Sequence, residues 1–162
     1  MAGSTVGREI ERKFLVKDMS WKNEGTGVLY RQGYLSLDPD RVVRIRVAGD
    51  KARLTIKSRV SDLVRREFEY PIPVADAEEI LKELCQGYRI TKTRYLVKYA
   101  GHVWEIDEFE EENSGLIVAE VELSAVYEVI ELPPWAGKEV TDDARYLNIR
   151  LCQLPFSRWN KE

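Results

Sequence analysis

The sequence predicts a β-dominated α+β domain in which eight antiparallel strands close into a barrel, a tunnel flanked by a few helices. Three observations lead to this prediction: eight segments have an alternating side-chain pattern, short turns link several of them, and the polar positions of nearly every segment are charged. Alternate residues of a strand point to opposite faces. Charges on one face of nearly every strand therefore predict a polar interior.

The eight segments that are predicted as strands are residues 9–16, 28–37, 42–48, 52–59, 64–72, 88–99, 102–109 and 116–124. In the first of them, Glu9, Glu11 and Lys13 point to one face, and Ile10 and Phe14 point to the other. Turn residues such as Asp38-Pro39-Asp40 and Ala100-Gly101 separate neighbouring segments. Links this short favour antiparallel neighbours.

Three helices are predicted between and after the strands. Residues 74–86 have an apolar stripe that includes Ile80 and Leu84, and Gly87 follows as a stop signal. A short helix is predicted over residues 125–131, before Pro133-Pro134. Thr141 is predicted to cap a last helix that runs to residue 152, because Asp142 and Asp143 would lie in its first turn.

Composition limits the kinds of partner that the chain is expected to have. The 162 residues fit one domain, residues 1–162, and 33% of them are charged while 44% are hydrophobic. A net charge of −3 gives no electrostatic case for nucleic acid or an anionic membrane, and no apolar run is long enough for a membrane helix. Cys85 and Cys152 lack the spacing of a metal site, which favours reduced thiols in a cytoplasmic protein.

The charged positions are in phase from strand to strand, and their signs are sorted by strand. An open sheet with one wet face is the main alternative, because such a face is also polar. A wet face usually includes many uncharged polar residues, whereas these positions are almost all acidic or basic. The main in-phase charges are Glu9, Glu11, Lys13, Arg44, Arg46, Lys57, Glu67, Glu69, Lys92, Arg94, Asp107, Glu120 and Glu122, with Arg53, Arg65, Lys98 and Glu105 expected nearer the tunnel mouths.

A closed barrel with this pattern would hold charges of both signs, and buried charges need partners. A polyanion on the basic strands, bridged to the acidic strands by a divalent cation, would compensate both sets. Carboxylates favour hard cations such as Mg²⁺ or Mn²⁺, and arginine matches phosphate oxygens in a bidentate manner. The sequence therefore predicts a site for a chain of phosphates.

The pattern resembles the CYTH superfamily, the triphosphate tunnel metalloenzymes. Glu9-Ile10-Glu11-Arg12-Lys13 matches the family's Glu-x-Glu-x-Lys signature, and the in-phase charges of the later strands recur in the family's order. The resemblance extends from Glu9 to about Leu151, and Arg31-Gln32-Gly33-Tyr34-Leu35 is similar to the compact bacterial branch. It implies an eight-stranded tunnel that hydrolyses or rearranges a triphosphate with Mg²⁺ or Mn²⁺.

Inorganic triphosphate, also called tripolyphosphate, is the substrate that the short loops favour, because they leave little apparatus for a nucleoside. The alternatives are an organic triphosphate such as thiamine triphosphate or a nucleoside triphosphate, a class IV adenylate cyclase-like reaction, and a module that binds polyphosphate or nucleotides without turnover. Val6-Gly7-Arg8 stands where cyclases often have a His-Phe pair, which disfavours the cyclase reaction.

The resemblance also implies roles for the in-phase residues. The expected contacts to phosphate are Lys13, Arg44, Arg46, Lys57, Lys92 and Arg94. The expected metal ligands are Glu9, Glu11, Glu120 and Glu122, with Glu69 and Asp107 as further candidates. The expected catalytic residues, which would orient water or stabilise charge, are Glu67, Glu69, Asp107 and Lys92. Tyr34 is equally compatible with packing or hydrogen bonding in the tunnel, and His102 is expected to be structural.

Overall fold

Among the residues that the structure describes, nine antiparallel strands form one sheet, and eight of them close into a barrel. The computed structural model describes residues 5–61 and 64–160. The strands are β1 (Thr5–Val16), β2 (Val28–Ser36), β3 (Val42–Ala48), β4 (Lys51–Arg59), β5 (Val64–Ile72), β6 (Arg89–Tyr99), β7 (His102–Phe109), β8 (Ile117–Glu122) and β9 (Ala136–Glu139). Their order is β5-β4-β3-β2-β6-β7-β8-β1-β9, and an additional β5–β1 pairing closes the ring. The predicted barrel of eight strands is therefore confirmed.

Strand β1 is the strand that closes the barrel. Residues 5–10 of β1 pair with β5, and residues 11–15 pair with β8. Farther along, β1 also pairs with β9, which the sequence did not predict because residues 136–139 lack alternation. Long-range contacts hold β9 instead: Val140 N donates to Lys13 O over 2.8 Å, and Arg12 forms an ion pair with Glu139.

The described part of the chain contains two α-helices, and two helix predictions are wrong. The first helix, α1 (Val74–Glu83), lies where it was expected, whereas α2 (Asn148–Gln153) covers only the end of the predicted segment 141–152. Leu147 has an extended backbone with ψ of 135°, so it separates α2 from the 3-10 turn Ala144–Tyr146. Thr141 is drawn to β1, where its hydroxyl accepts a hydrogen bond from Lys13 N.

Residues 125–131 form turns and bends rather than the predicted short helix. The Glu128 carboxylate accepts hydrogen bonds from Ser124 N and the Ser124 hydroxyl, and it also contacts His102. These side-chain contacts hold a turn in place of a helix. Val129 is 92% exposed, so the segment lacks the buried stripe that would stabilise a helix.

The apolar faces of the strands point outward and are covered by other elements. Strands β1 and β6–β8 pack one cluster, with Trp104, Trp21 and Trp135 fully or almost fully buried. On β3 and β4, Ile45 and Ala52 pack against the side of α1 that includes Leu81. Gly33 allows this close approach, because a Cβ there would lie 2.6 Å from Cβ of Cys85.

A third apolar cluster lies where α2 meets the barrel. Ile149 and Leu151 of α2 pack with Ile90, Phe109 and Val118, whose side chains come from three different strands. Helix α2 therefore packs across one end of the barrel, and the charged part of the interior begins beyond it. No helix among the described residues is long and apolar enough to cross a membrane.

Candidate active site

The barrel interior contains a charged cavity of about 230 Å³. Most of the residues predicted for the site line this cavity: Glu9, Glu11, Lys13, Arg44, Arg46, Lys57, Glu67, Glu69, Lys92, Arg94 and Glu120, together with Tyr34, Arg65 and Glu105. Since they come from all eight strands of the barrel, period-two alternation in each strand and closure of the barrel are enough to bring them together. The predicted polar interior is confirmed.

Two predicted residues and two mouth residues lie elsewhere. Glu122 is exposed at the end of β8, and Asp107 is buried behind the cavity surface, where it is 1% exposed. Arg53 is exposed and pairs with Glu69 over 3.2 Å. Lys98 is exposed and does not line the cavity. The cavity is therefore lined by fewer charged residues than the sequence predicted to face inward.

Two lysines in the cavity are paired with carboxylates across strand boundaries. Lys57 Nζ donates to Glu9 Oε2 over 2.8 Å, and Lys13 Nζ lies 3.4 Å from Glu120 Oε1. Burial opposes ionisation of Glu120, but Lys13 outweighs it and lowers the pKa of Glu120 to about 2. Both lysines thus form ion pairs beside the space that an anion would occupy.

Asp107 organises a buried cluster of two cations. Its Oδ2 accepts from Lys92 Nζ over 2.6 Å, and its Oδ1 accepts from Arg94 Nε over 2.7 Å. Burial disfavours the carboxylate, yet Lys92 and Arg94 hold the pKa of Asp107 well below its usual range. Burial, reinforced by Arg94 and Arg46, lowers the pKa of Lys92 to about 7. Both oxygens of Asp107 are taken by cations, so the prediction that it binds metal does not fit this geometry.

Arg44 and Arg46, the arginine pair, have no carboxylate within ion-pair distance among the described residues. Nε of Arg44 is buried without a hydrogen-bond partner, although one terminal nitrogen lies 3.3 Å from the Thr55 hydroxyl. Nε of Arg46 donates to Gln32 Oε1 over 2.9 Å. Burial, together with Arg44 and Arg94, lowers the pKa of Arg46 to about 9. A buried and a half-buried cation side by side, without counter-charges, form a site for an anion.

Tyr30 helps to hold the guanidinium groups in place. Its ring lies 4.9 Å from Cζ of Arg46 and 4.8 Å from Cζ of Arg94. Cations over an aromatic ring at this distance are attracted to it, so the ring offsets part of the repulsion between the two arginines.

On the acidic side of the cavity, neighbouring carboxylates repel one another, as the arginines do on the basic side. Burial, then the neighbouring Glu120 and Glu9, raises the pKa of Glu11 well above its usual range. Burial likewise raises the pKa of Glu67, and burial with Glu9 and Glu105 raises that of Glu122. Carboxylates whose ionisation is opposed by other carboxylates are stabilised by an added cation.

A divalent cation fits this donor set by its chemistry. In the part of the chain that the structure describes, no three acidic, histidine or cysteine side chains already form a metal site. Mg²⁺ is commonly held by one or two carboxylates together with substrate phosphates rather than by an all-protein cage. Glu9, Glu11 and Glu120 face the same cavity as the arginine pair, so such shared coordination is sterically available.

Three polar residues of the cavity were missed or undervalued by the sequence analysis. Asn148 lines the cavity from α2, and no signal marked it because the segment reads as an apolar helix stripe. Gln32 and Thr55 are in phase with the charges and are buried in the network around the arginine pair. Tyr34 is buried and accepts a hydrogen bond from Gln32 Nε2, and His102 contacts Glu128 away from the cavity.

Comparison with known proteins gives a consistent set of relatives. A model of the CYTH domain matches residues 7–150. An inorganic triphosphatase of Acetivibrio thermocellus is 46% identical over 156 residues, which covers 96% of this chain and 100% of the relative. An inorganic triphosphatase of Nitrosomonas europaea is 40% identical over 148 residues, covering 89% and 96% of the two chains.

A solved structure of a relative has a similar fold. A crystal structure of an inorganic triphosphatase aligns with a TM-score of 0.65 at 37% identity, and the alignment covers 93% of this chain and 97% of that one. Sequence and structure therefore agree over nearly the full length of each chain.

Proposed function

The chain belongs to the CYTH domain family, and we propose that it is a hydrolase that cleaves a phosphoanhydride bond of inorganic triphosphate with Mg²⁺ or Mn²⁺. The relatives that cover nearly the whole chain are inorganic triphosphatases, which supports the enzyme class and the substrate. An enzyme of this kind needs neither nucleic acid nor a membrane as partner, and its cytoplasmic location stays a prediction from the sequence.

The arginine pair is the observation that carries this proposal. Arg44 is buried and Arg46 is half-buried beside it, and neither has a carboxylate partner among the described residues, whereas Lys13, Lys57 and Lys92 are each paired with an acid. Taking two charges out of water without compensation costs several kcal/mol for each ion. A ligand with several negative oxygens removes that penalty, and arginine forks match phosphate oxygens better than they match a point anion.

The cavity that the arginine pair lines is small. Sites for drug-sized ligands commonly measure ~300–1,000 Å³, and this cavity measures about 230 Å³. Leu147 and Ile149 bound it at the end covered by α2. A second cavity of about 370 Å³ adjoins it and shares Glu9, Glu11 and Lys13, so the choice of inorganic triphosphate over the organic alternatives rests on the inorganic triphosphatase relatives.

The basic residues would bind the phosphates and stabilise charge on the leaving group. The arginine pair would hold phosphate oxygens directly, and Lys13 and Lys57 would donate from their positions beside Glu120 and Glu9. Phosphoryl transfer needs little covalent chemistry from the protein, so fixed donors that face the developing charge provide most of the acceleration. Lys92, with a pKa lowered to about 7, would both donate to a phosphate and exchange a proton near neutral pH.

The acidic residues would hold the divalent cation and the attacking water. We assign Glu9, Glu11 and Glu120 to the metal, with Glu122 at the edge of the group, and Glu67 and Glu69 to the orientation of water. The cation, when bound, would neutralise phosphate charge and lower the pKa of a coordinated water. Asp107 would act indirectly, because it fixes Lys92 and Arg94 rather than contacting substrate.

Phosphate release from a substrate panel tests the proposal. Tripolyphosphate, ATP and thiamine triphosphate are compared at equal concentrations, each with Mg²⁺, with Mn²⁺ and with EDTA. We expect rapid release from tripolyphosphate that EDTA abolishes, and much slower release from the two organic substrates. Equal or faster turnover of ATP or thiamine triphosphate would contradict the substrate assignment. Tight binding of tripolyphosphate without turnover in any metal would instead favour a binding module.

A further inference from the structure

The side chain of Asn148 reaches from α2 into the charged cavity and contacts two of its residues. Its Oδ1 accepts a hydrogen bond from Lys92 Nζ over 3.1 Å and another from Gln32 Nε2 over 3.2 Å. A single amide oxygen with two lone pairs can accept both bonds at once. The donors belong to neighbouring strands, β6 and β2, so the amide fixes their separation from a third element.

The two donors connect Asn148 to two further residues of the site, Asp107 and Arg46. Lys92 Nζ also donates to Asp107, and Gln32 Oε1 accepts from Arg46 Nε. Asn148 therefore joins the buried lysine to one member of the arginine pair through three hydrogen bonds and one intervening glutamine. A neutral amide provides this link without adding a charge that would compete with phosphate for the cations.

Helix α2 holds Asn148 firmly, although the amide itself contributes little to packing. Ile149 and Leu151, on the same short helix, are 7% and 0% exposed. Farther along the chain, Trp159 packs on Tyr146 with ring centroids 5.1 Å apart and so fastens the segment that precedes α2. Asn148 lies between apolar anchors, and its polar atoms point to the cavity rather than to the protein core.

We propose that Asn148 is a positioning residue of the triphosphate site, which holds Lys92 and, through Gln32, Arg46 in the arrangement that binds and cleaves the substrate. The inference rests on the proposed function for its substrate. A lysine ammonium has three donors; Asp107 and Asn148 take two of those of Lys92, and the third is left for a phosphate oxygen in the cavity. Without Asn148, Nζ is free to turn toward Asp107 and away from the substrate.

Two substitutions distinguish positioning from a structural role. Asn148→Leu removes the acceptor, and we expect kcat for tripolyphosphate to fall about tenfold, the size of one lost hydrogen bond to a charged group. Asn148→Asp keeps an acceptor for both donors but adds a negative charge beside the phosphates. It should retain most of kcat while KM rises several-fold. Arg150→Leu, on the exposed side of the same helix, is the matched control and should behave as the unmodified protein.

Binding of tripolyphosphate in EDTA, measured by calorimetry, supplies a readout that does not need turnover. We expect Asn148→Leu to bind about fivefold more weakly than the unmodified protein, with Arg150→Leu unchanged and the unfolding temperatures of all the proteins alike. If the unmodified protein binds tripolyphosphate but does not cleave it, the proposed function fails while the binding comparison still tests Asn148. The inference is overturned if both Asn148 variants match the control in kcat, KM and affinity, or if nothing binds. If the leucine variant does not fold, the KM-against-kcat split of Asn148→Asp decides.

Discussion

Replacing Arg46 with methionine should make the protein more stable and far less active. Arg46 lies in the tunnel beside Arg44 and Arg94, and Gln32 Oε1 accepts a hydrogen bond from its Nε. Because burial and the neighbouring arginines lower its pKa to about 9, the native state holds this charge at a penalty. Methionine has a similar length and no charge, so it removes the penalty with little loss of packing.

The magnitude follows from the lowered pKa. Lowering the pKa of Arg46 by roughly three pH units corresponds to a free-energy cost of ~4 kcal/mol for its charge in the folded protein. Relaxation and water entry reduce this cost to about 2–3 kcal/mol. Against this, the variant loses the hydrogen bond to Gln32, ~1 kcal/mol, and the contact with the Tyr30 ring, ~0.5–1 kcal/mol. The net gain is about 1 kcal/mol, which for a domain of this size raises the unfolding temperature by ~2–4 °C.

The predicted gain in stability of Arg46→Met applies at the pH of an ordinary assay. Arg46 is charged in both the folded and the unfolded chain below its folded pKa of about 9, so the full penalty is present at pH 7.5 and shrinks only above pH 9. Activity should move in the opposite direction, since loss of a charged donor to phosphate costs ~100-fold or more in kcat/KM.

Thermal unfolding and tripolyphosphate hydrolysis measured on the same preparations test both halves of this prediction. The matched control is Arg41→Met, because the Arg41 side chain is 84% exposed and pairs with Asp38 at the surface. The unfolding free energy of this variant should change by less than ~0.5 kcal/mol. A clear loss of stability in Arg46→Met, or activity within a few-fold of the unmodified protein, would refute the view that Arg46 is an uncompensated cation kept for the substrate.

Two further substitutions test the rest of the charge arrangement. Asp107→Asn leaves Lys92 and Arg94 buried without their shared counter-charge, and denaturant unfolding should show a loss of about 3 kcal/mol; an unchanged midpoint would mean that the cluster is not held by this carboxylate. Glu11 has a raised pKa, so its ionisation destabilises the native state above that pKa and has no effect at acid pH where it is protonated in both states. Glu11→Gln should therefore unfold at a higher temperature than the unmodified protein at pH 8 in EDTA, with the gain vanishing toward pH 4. Adding Mg²⁺ or Mn²⁺ should stabilise the unmodified protein more than this variant, and equal metal stabilisation of the two would argue against Glu11 as a ligand.

The sequence predicted the strands well, because each has a strict period of two. Seven of the eight predicted strands end within two residues of the observed bounds, and β1 begins four residues earlier than predicted. Strand β9 and the turns at residues 125–131 were not predictable in this way. The first is held by pairing with β1 and the second by the Glu128 side chain, and neither contact leaves a periodic signal in the local sequence.

The candidate site was predictable as a set of residues but not as a set of pairs. Alternation alone placed Arg44, Arg46 and Lys57 on the inner face. Which cations are neutralised depends on strand register and side-chain reach: Lys57 meets Glu9 across the β1–β5–β4 part of the barrel, whereas the arginine pair meets no acid. The place of Asn148 could not be predicted, for a different reason. The extended backbone at Leu147 breaks the predicted helix and directs Asn148 into the cavity.

A crystal structure with a non-hydrolysable imido-linked triphosphate and Mn²⁺ would show whether the arginine pair binds phosphate, and the anomalous signal of manganese would locate the metal independently of the phosphates. We expect phosphate oxygens within hydrogen-bond distance of both Arg44 and Arg46 in the tunnel. Manganese should lie between those phosphates and the carboxylates of Glu9, Glu11 or Glu120. Phosphate density outside the barrel, or an arginine pair left without a phosphate contact while the analogue is bound elsewhere, would contradict the account.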